Sequence, residues 1–351
     1  MTRSLALILL LASACIARAQ ADALADFYRG KQMKIIIRTA AGTGYDVYSR
    51  LLARHIVRHI PGRPALMLPV NMEGAGGIVA ANYMAEVAPK DGTVIAMLNQ
   101  GIIADQALGI NKTLKTDLRT FNWLGIMSGS NDVLATWHSS PTKTLADAMR
   151  RETLVGATGA GSVSTQMPAV YNNILGTRFK IVIGYANGGE INLAMERGEI
   201  EGKATNPYSS YVAATSYVRD HLINIIIQTG VTKDPAMPDV PLLRDLGKTA
   251  QDTAILDFIS NSVAIGWPIA TNPGVPAPRV AALRRAFDET LRDPEFLADA
   301  ARQKVDISPT SGLEAQQMID AVIGAPSHIK EEAKRAMEPK SDEQVKRAAG
   351  K

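Results

Sequence analysis

Apolar positions along the chain follow two alternating periods. Ile35, Ile36 and Ile37 form a β-branched run suited to a strand covered on both faces. Val47, Tyr48, Leu51, Leu52, Ile56 and Ile60 then recur at helical spacing, with Arg50, Arg54 and Arg58 left for solvent. The stretch from Met33 to Arg54 therefore predicts strand, bend and amphipathic helix. The bend itself, Ala40-Ala41-Gly42-Thr43-Gly44-Tyr45-Asp46, is short of side chains. Its backbone N–H groups can approach an anion, and the helix N-terminus behind them adds partial positive charge. The same pattern recurs: an apolar strand at 65–70, the loop Asn71 to Gly77 and a helix over 78–87. After the turn Pro89-Lys90-Asp91-Gly92 comes a third strand at 93–98, ending at Asn99. Strands alternating with helices predict βαβ units in an open α/β sheet, where ligands sit beyond the carboxyl ends of the strands.

The pattern changes around 121–127, and a strand at 132–137 is expected to carry the chain into a second domain. A helix at 141–150 and a strand at 154–157 lead to a second glycine loop, Thr158-Gly159-Ala160-Gly161-Ser162-Val163-Ser164-Thr165, ahead of a helix at 166–175. Its hydroxyls suit either donation to a carboxylate or helix capping. A strand at 180–183 precedes the loop Gly184-Tyr185-Ala186-Asn187-Gly188-Gly189 and a helix at 190–197. A strand at 199–204 ends in the polar set Thr205, Asn206 and Tyr208, and 224–228 is a further strand. Pro238-Asp239-Val240-Pro241 marks the expected return to the first domain. A strand at 262–269, helices at 280–291 and 294–303, and a solvated helix beyond Ser327 complete the reading.

At the N-terminus, Arg3, the apolar run Leu5 to Ala14 and Ala17-Arg18-Ala19 predict a secretory signal peptide over 1–19, cut before Gln20. Cleavage removes two arginines and no acid, so the formal charge falls from +4 to +2. That balance gives no footprint for nucleic acid. The single cysteine, Cys15, lies inside the signal, so the mature chain has no thiol and no disulfide. A lipid anchor on Cys15 is the alternative processing. About 330 residues favour two domains.

Enzyme chemistry finds little support. Gly42-Thr43-Gly44 is followed by Val47 where a dinucleotide fingerprint needs glycine, and Gly161-Ser162-Val163-Ser164 is no nucleophile elbow. His55 and His59, four apart on a predicted helix, are expected on an exposed surface rather than on a metal. Glu196, Glu199 and Glu201 fit a solvated helix end and the start of a strand. No cofactor and no metal are expected.

Four motifs in order carry a resemblance over about Lys31 to Val322. They are the strand, glycine loop and aspartate of Ile35 to Asp46; Gly74-Ala75-Gly76-Gly77; Ala88-Pro89-Lys90-Asp91-Gly92; and Pro238-Asp239-Val240-Pro241. Together they resemble the periplasmic receptors of tripartite tricarboxylate transporters, the Bug family. The resemblance implies a type II periplasmic binding protein fold: two α/β domains with a ligand cleft between them. On this reading 20–124 and 233–351 form domain 1 and 125–232 domain 2.

It further implies a monomer that takes a small organic carboxylate through backbone amides, hydroxyls and bridging waters. The receptor closes around the ligand and delivers it to membrane permease subunits. A membrane sensor or a periplasmic enzyme are the alternatives. Site residues carried over are Ala41, Gly42, Thr43, Gly44, Tyr45, Asp46, Asn99, Gly159, Gly161, Ser162, Ser164, Asn187, Gly188, Thr205 and Asn206. Asp46 is expected to organise water or the loop, since a carboxylate in contact with an anionic ligand would repel it. Ala186-Asn187 replaces the family's loop lysine, and Thr205 stands where an aspartate is common. The missing cation argues against a polyanion unless Arg38 turns inward. The expected ligand is a mono- or dicarboxylate, with Tyr45, Tyr185 and Tyr208 favouring an aromatic body.

Overall fold

The computed structural model describes residues 22–340 except 99, 130, 160, 161 and 215. The signal segment with Cys15, and the candidate residues Asn99 and Gly161, lie outside the described residues. Strands in chain order are β1 Gln32–Ile37, β2 Leu66–Asn71, β3 Val94–Met97, β4 Asn122–Ile126, β5 Asp132–Trp137, β6 Thr153–Ala157, β7 Phe179–Ile183, β8 Gly202–Lys203, β9 Ile223–Thr229, β10 Pro268–Thr271 and β11 Thr310–Ser311. Helices are α1 at 22–28, then α2 Gly44–Ile56, α3 Ile78–Glu86, α4 Gln100–Leu108, α5 Leu145–Arg150, α6 Val163–Val170, α7 Gly188–Glu196, α8 Tyr208–Ala214, α9 Ala250–Ala264, α10 Ala277–Thr290, α11 Pro294–Arg302, α12 Gly312–Ile323 and α13 Ser327–Ala336. None of the helices among the described residues is long and apolar enough to cross a membrane.

The chain forms two compact units, one of residues up to Ser128 with Ile265–Asp320, the other of Gly129–Ala264 with the residues from Ala321. These limits differ from the expected ones at two places. The chain does not leave the second unit at 233, because α9 packs on β9 and on the turn Leu243–Leu246. Nor does the C-terminal segment belong to the first unit, because α13 packs on α9 and α6.

In the first unit six strands run in the order β11-β4-β10-β3-β1-β2. β1 is parallel to β2 and β3, while β10 lies antiparallel between β3 and β4. Ile35, Ile36 and Ile37 are fully buried, as a two-face strand requires. The α2 stripe Tyr48, Leu51, Leu52 and Ile56 packs with Met33, Ile35, Met97, Leu283, Phe287 and Phe296 in one core. The second unit orders its strands β7-β6-β8-β5-β9, with β6 parallel to β7 and β8, and β5 antiparallel to β8 and β9. Val133, Ala135, Ile191, Met195, Ile200 and Tyr211 centre its core.

Several expectations need correction. Residues 262–264 end α9 and the strand begins only at Pro268. The apolar run through 269 merges a buried helix end with a buried strand, which periodicity alone cannot separate. The strand at 199–204 shrinks to the pair Gly202–Lys203. The helix at 166–175 is α6 followed by a five-residue π turn, Tyr171–Leu175. The segment beyond Ser327 is not wholly solvated, since α13 buries Ile329, Ala333 and Ala336.

His55 and His59 are likewise not on an open surface. Their side chains are 12% and 22% exposed, and their Nε2 atoms lie 2.9 Å from Asp299 in the body of α11 and Asp293 at its N-cap, respectively. Arg54 and Arg58 join the same acids, so the α2 face expected for solvent instead holds α11 by ion pairs. Glu201 is not simply solvated either, because it pairs with Arg151 and accepts from Ser140.

Candidate ligand site

In the first unit the bend follows the carboxyl end of β1. Thr43 is the N-cap of α2: its Oγ1 accepts from the Asp46 N–H at 3.4 Å and donates to the Ala40 carbonyl at 2.9 Å. Thr39 Oγ1 adds a contact to Thr43 Oγ1 at 2.6 Å. Asp46 is the centre of the arrangement. Its Oδ2 accepts from the Gly42 N–H at 2.9 Å, and its Oδ1 accepts from Arg50 Nε at 2.8 Å and Asn71 Nδ2 at 2.9 Å. Asn71, the last residue of β2, also donates to the Thr39 carbonyl and accepts from Arg50 Nη2. One buried carboxylate thus ties together the ends of β1 and β2 and the start of α2. Burial alone would raise its pKa, but the bonds from Arg50, Gly42 and Asn71 outweigh that and hold it below the ordinary carboxylate value.

Asp46 therefore organises the loop, and a correction follows for Gly42. Its N–H is directed at Asp46 and not outward. Gly42 is needed for another reason: its φ of +81° is a left-handed conformation that glycine adopts without strain. Ala41, Gly42 and Gly44 are exposed around it. Tyr45 donates to Gln100 Oε1 at 2.8 Å, its ring packs edge-on against Trp267 at 4.4 Å, and Tyr48 stacks on the same indole at 4.5 Å. Arg38 does turn inward: its guanidinium lies 4.5 Å from the Tyr45 ring centre and Nη1 donates to the Gly76 carbonyl at 2.8 Å. Burial lowers its pKa from the usual arginine value.

In the second unit the corresponding bend follows β6. Here the loop is held by hydroxyls. Ser162 Oγ donates to the Gly159 carbonyl at 2.8 Å and lies 2.7 Å from Ser164 Oγ, while the Thr158 N–H donates to Ser164 Oγ at 3.0 Å. Thr165 Oγ1 also donates to the Gly159 carbonyl, at 2.6 Å. Ser162 stands at the N-cap of α6, yet its hydroxyl does not cap the helix. The hydroxyls close the loop on itself, so any ligand contact from Ser162 or Ser164 must share atoms already bonded.

The loop after β7 is arranged similarly. Asn187 Oδ1 caps α7 by accepting from the Gly189 and Glu190 N–H groups at 2.9 and 3.1 Å. Thr205 Oγ1 donates to Asp132 Oδ2 at 2.5 Å. Asn206 Oδ1 accepts from Lys203 Nζ at 2.7 Å, and Gly188 offers its carbonyl to the same ammonium at 3.2 Å. Two candidates from separate segments, Gly188 and Asn206, thus meet around a lysine absent from the candidate set. Lys203 ends β8, is 6% exposed, and its burial pushes the ammonium down to about 8. The signal that could have found it is a lysine inside the short strand expected at 199–204. Asn71, Gln100 and Trp267 were also missed, and only Asn71, ending an apolar strand, had a comparable signal. Tyr185 and Tyr208 pack against the second unit's core and Tyr45 against Trp267, so none of the three rings argues for an aromatic ligand.

Two units whose sheets share one order apart from the added edge strand β11, each with a glycine-rich bend beyond the middle one of its three parallel strands, define a type II solute-binding receptor fold. A family model described as the tripartite tricarboxylate transporter family receptor, TctC, matches residues 53–332, and the chain belongs to that family. Among solved structures it is similar to a TctC solute-binding protein from Polaromonas without ligand, at 20% identity and a TM-score of 0.68, covering 87% of this chain and 99% of that one. An R. palustris protein solved with adipate is 18% identical with a TM-score of 0.62, covering 87% and 97%. MatC from Rhodopseudomonas palustris with bound malate is 20% identical with a TM-score of 0.59, covering 86% and 99%. No curated protein matches the chain.

Proposed function

We propose that the chain is a periplasmic, monomeric receptor that binds a mono- or dicarboxylate at its glycine-rich bends and delivers it to the membrane subunits of a tripartite transporter. The observation that carries this reading is the family match over residues 53–332. Two of the similar structures were solved with adipate and with malate, both dicarboxylates, which supports the ligand class. The chemistry of the bends agrees. Each places a helix N-terminus at the carboxyl end of a parallel strand, where an anion is favoured. Asp46, held charged by its own donors, shapes the first bend without itself meeting the ligand. Ala41, Thr43, Gly44 and Tyr45 from that bend, and Gly159, Ser162, Ser164, Gly188, Thr205 and Asn206 from the second unit, supply direct or water-bridged contacts.

The test is a thermal-shift screen of the mature protein with succinate, malate, adipate, citrate and benzoate. A ligand bound only by the folded state raises the midpoint, and the rise grows with the logarithm of its concentration once that exceeds Kd. A shift with one or more of the mono- or dicarboxylates is expected. Absence of any shift, with a different class of solute copurifying from periplasmic extract, overturns the ligand assignment.

A further inference from the structure

Within the second unit, Lys203 Nζ is surrounded by neutral acceptors: Asn206 Oδ1 at 2.7 Å, the Gly188 carbonyl at 3.2 Å and Asn192 Oδ1 at 3.3 Å. No carboxylate of the described residues lies within ion-pair distance of it. The nearest acid to influence it, Asp132 on β5, accepts from Thr205 Oγ1 and attracts the ammonium only from beyond that range. A buried cation without a counter-ion is costly to fold, and such groups concentrate at functional sites. The ammonium also packs closely on the start of α7, where a Cβ at Gly188 would stand 2.9 Å from Nζ. Two of its three contacts are long for an ammonium, so an anion can displace them.

We propose that Lys203 is the cationic binding residue of this receptor and that the ligand's carboxylate is its missing counter-ion, taking the place of the Gly188 and Asn192 oxygens. This rests on the carboxylate-receptor reading above and deepens it. The cation that the loop at Ala186-Asn187 lacks comes instead from the neighbouring strand. Its one charge matches one carboxylate.

The ammonium, pushed down to about 8, makes the pairing pH-dependent. The titratable groups facing it are Asp132 from β5 and Tyr211 from α8, whose ring centre is 6.0 Å from Nζ. β6 contributes none, and the acids of α7 are turned elsewhere, Glu190 to the Ala186 N–H and Glu196 to the Tyr217 hydroxyl. Burial raises Tyr211 further above its ordinary value, away from 8, and raises Asp132 above the carboxylate range, so the Lys203→Met variant is what separates the lysine from the acid.

The test is calorimetry with malate and adipate on the mature protein between pH 7 and 9, in buffers of different ionisation enthalpy. Wild type is expected to take up a proton on binding near pH 8 and to weaken about tenfold from pH 7 to 9, as a single ammonium loses its charge. Lys203→Met is expected to bind at least about tenfold more weakly at pH 7 with no proton uptake. Asn192→Asp, an isosteric change that supplies an internal counter-ion, is expected to fold as wild type and weaken binding similarly, which keeps the test open if Lys203→Met does not fold. Lys203→Arg is expected to retain binding but lose the pH dependence. Wild-type affinity in Asn192→Asp, or unchanged proton uptake in Lys203→Met, overturns the assignment while leaving the receptor reading intact. Failure of wild type to bind any carboxylate of the screen removes both.

Discussion

The two bends occupy equivalent places in their sheets and are held by opposite chemistry. After β1 the loop is organised by a carboxylate that receives a guanidinium, an amide side chain and a backbone N–H. After β6 it is organised by serine and threonine hydroxyls, and the nearby charge is a buried ammonium among neutral oxygens. The first bend is therefore electrostatically closed, with its negative charge compensated from within. The second is mechanically closed and electrostatically open. The difference teaches that a shared backbone plan does not fix where charge is balanced; a few side chains at strand ends decide it.

The sharpest way to break this comparison is to titrate it. Lys203 has a pKa near 8 in the fold and about 10.4 when unfolded. Between those values the unfolded chain binds the additional proton, so stability due to this residue rises with pH. Wild type is therefore expected to gain roughly 3 kcal/mol on Lys203→Met between pH 8 and 10.5, read from urea unfolding of both proteins. A constant difference across that window would mean that the ammonium is solvated and the second unit is not electrostatically open.

Asp46 responds in the opposite direction and by less. Its folded pKa is depressed, so its contribution is present above the unfolded carboxylate value and is lost as pH falls through the folded one. Asp46→Asn is expected to cost about 2 kcal/mol at pH 7, since Arg50, Asn71 and the Gly42 N–H all lose a charged acceptor. Because Arg50 is 41% exposed, water replaces part of its share. The variant's deficit should close towards pH 2; a deficit that persists there would assign the effect to loop shape and not to charge.

How much of this was legible follows the physics of each signal. The strand, bend and helix around Asp46 were legible because three β-branched residues, two glycines and a 3.6-residue stripe each act locally. So was the role of Asp46, since like charges repel whatever the fold. The first bend even precedes the residues matched by the family model. The run 262–269 was misread because a buried helix end and a buried strand carry the same apolar pattern. His55 and His59 were misread because the acids they contact are over 230 residues away in sequence. Lys203 was passed over for a similar reason: its environment is built from α7, β5 and α8, none of which its own strand of two residues announces.

The smallest expected effect is the one that most directly compares the two closures. Ser164 Oγ accepts from the Thr158 N–H and lies beside Ser162 Oγ, so Ser164→Ala removes one half-buried acceptor and one hydroxyl link. A neutral hydrogen bond of this kind is worth about 1 kcal/mol net. Neither partner titrates, so the loss should be the same at pH 4, 7 and 9, unlike either charged variant. Urea unfolding at those three values is sufficient. A pH-dependent loss would show that the hydroxyl chain senses Lys203 or another charge, and that the two bends differ less in kind than their hydrogen bonds indicate.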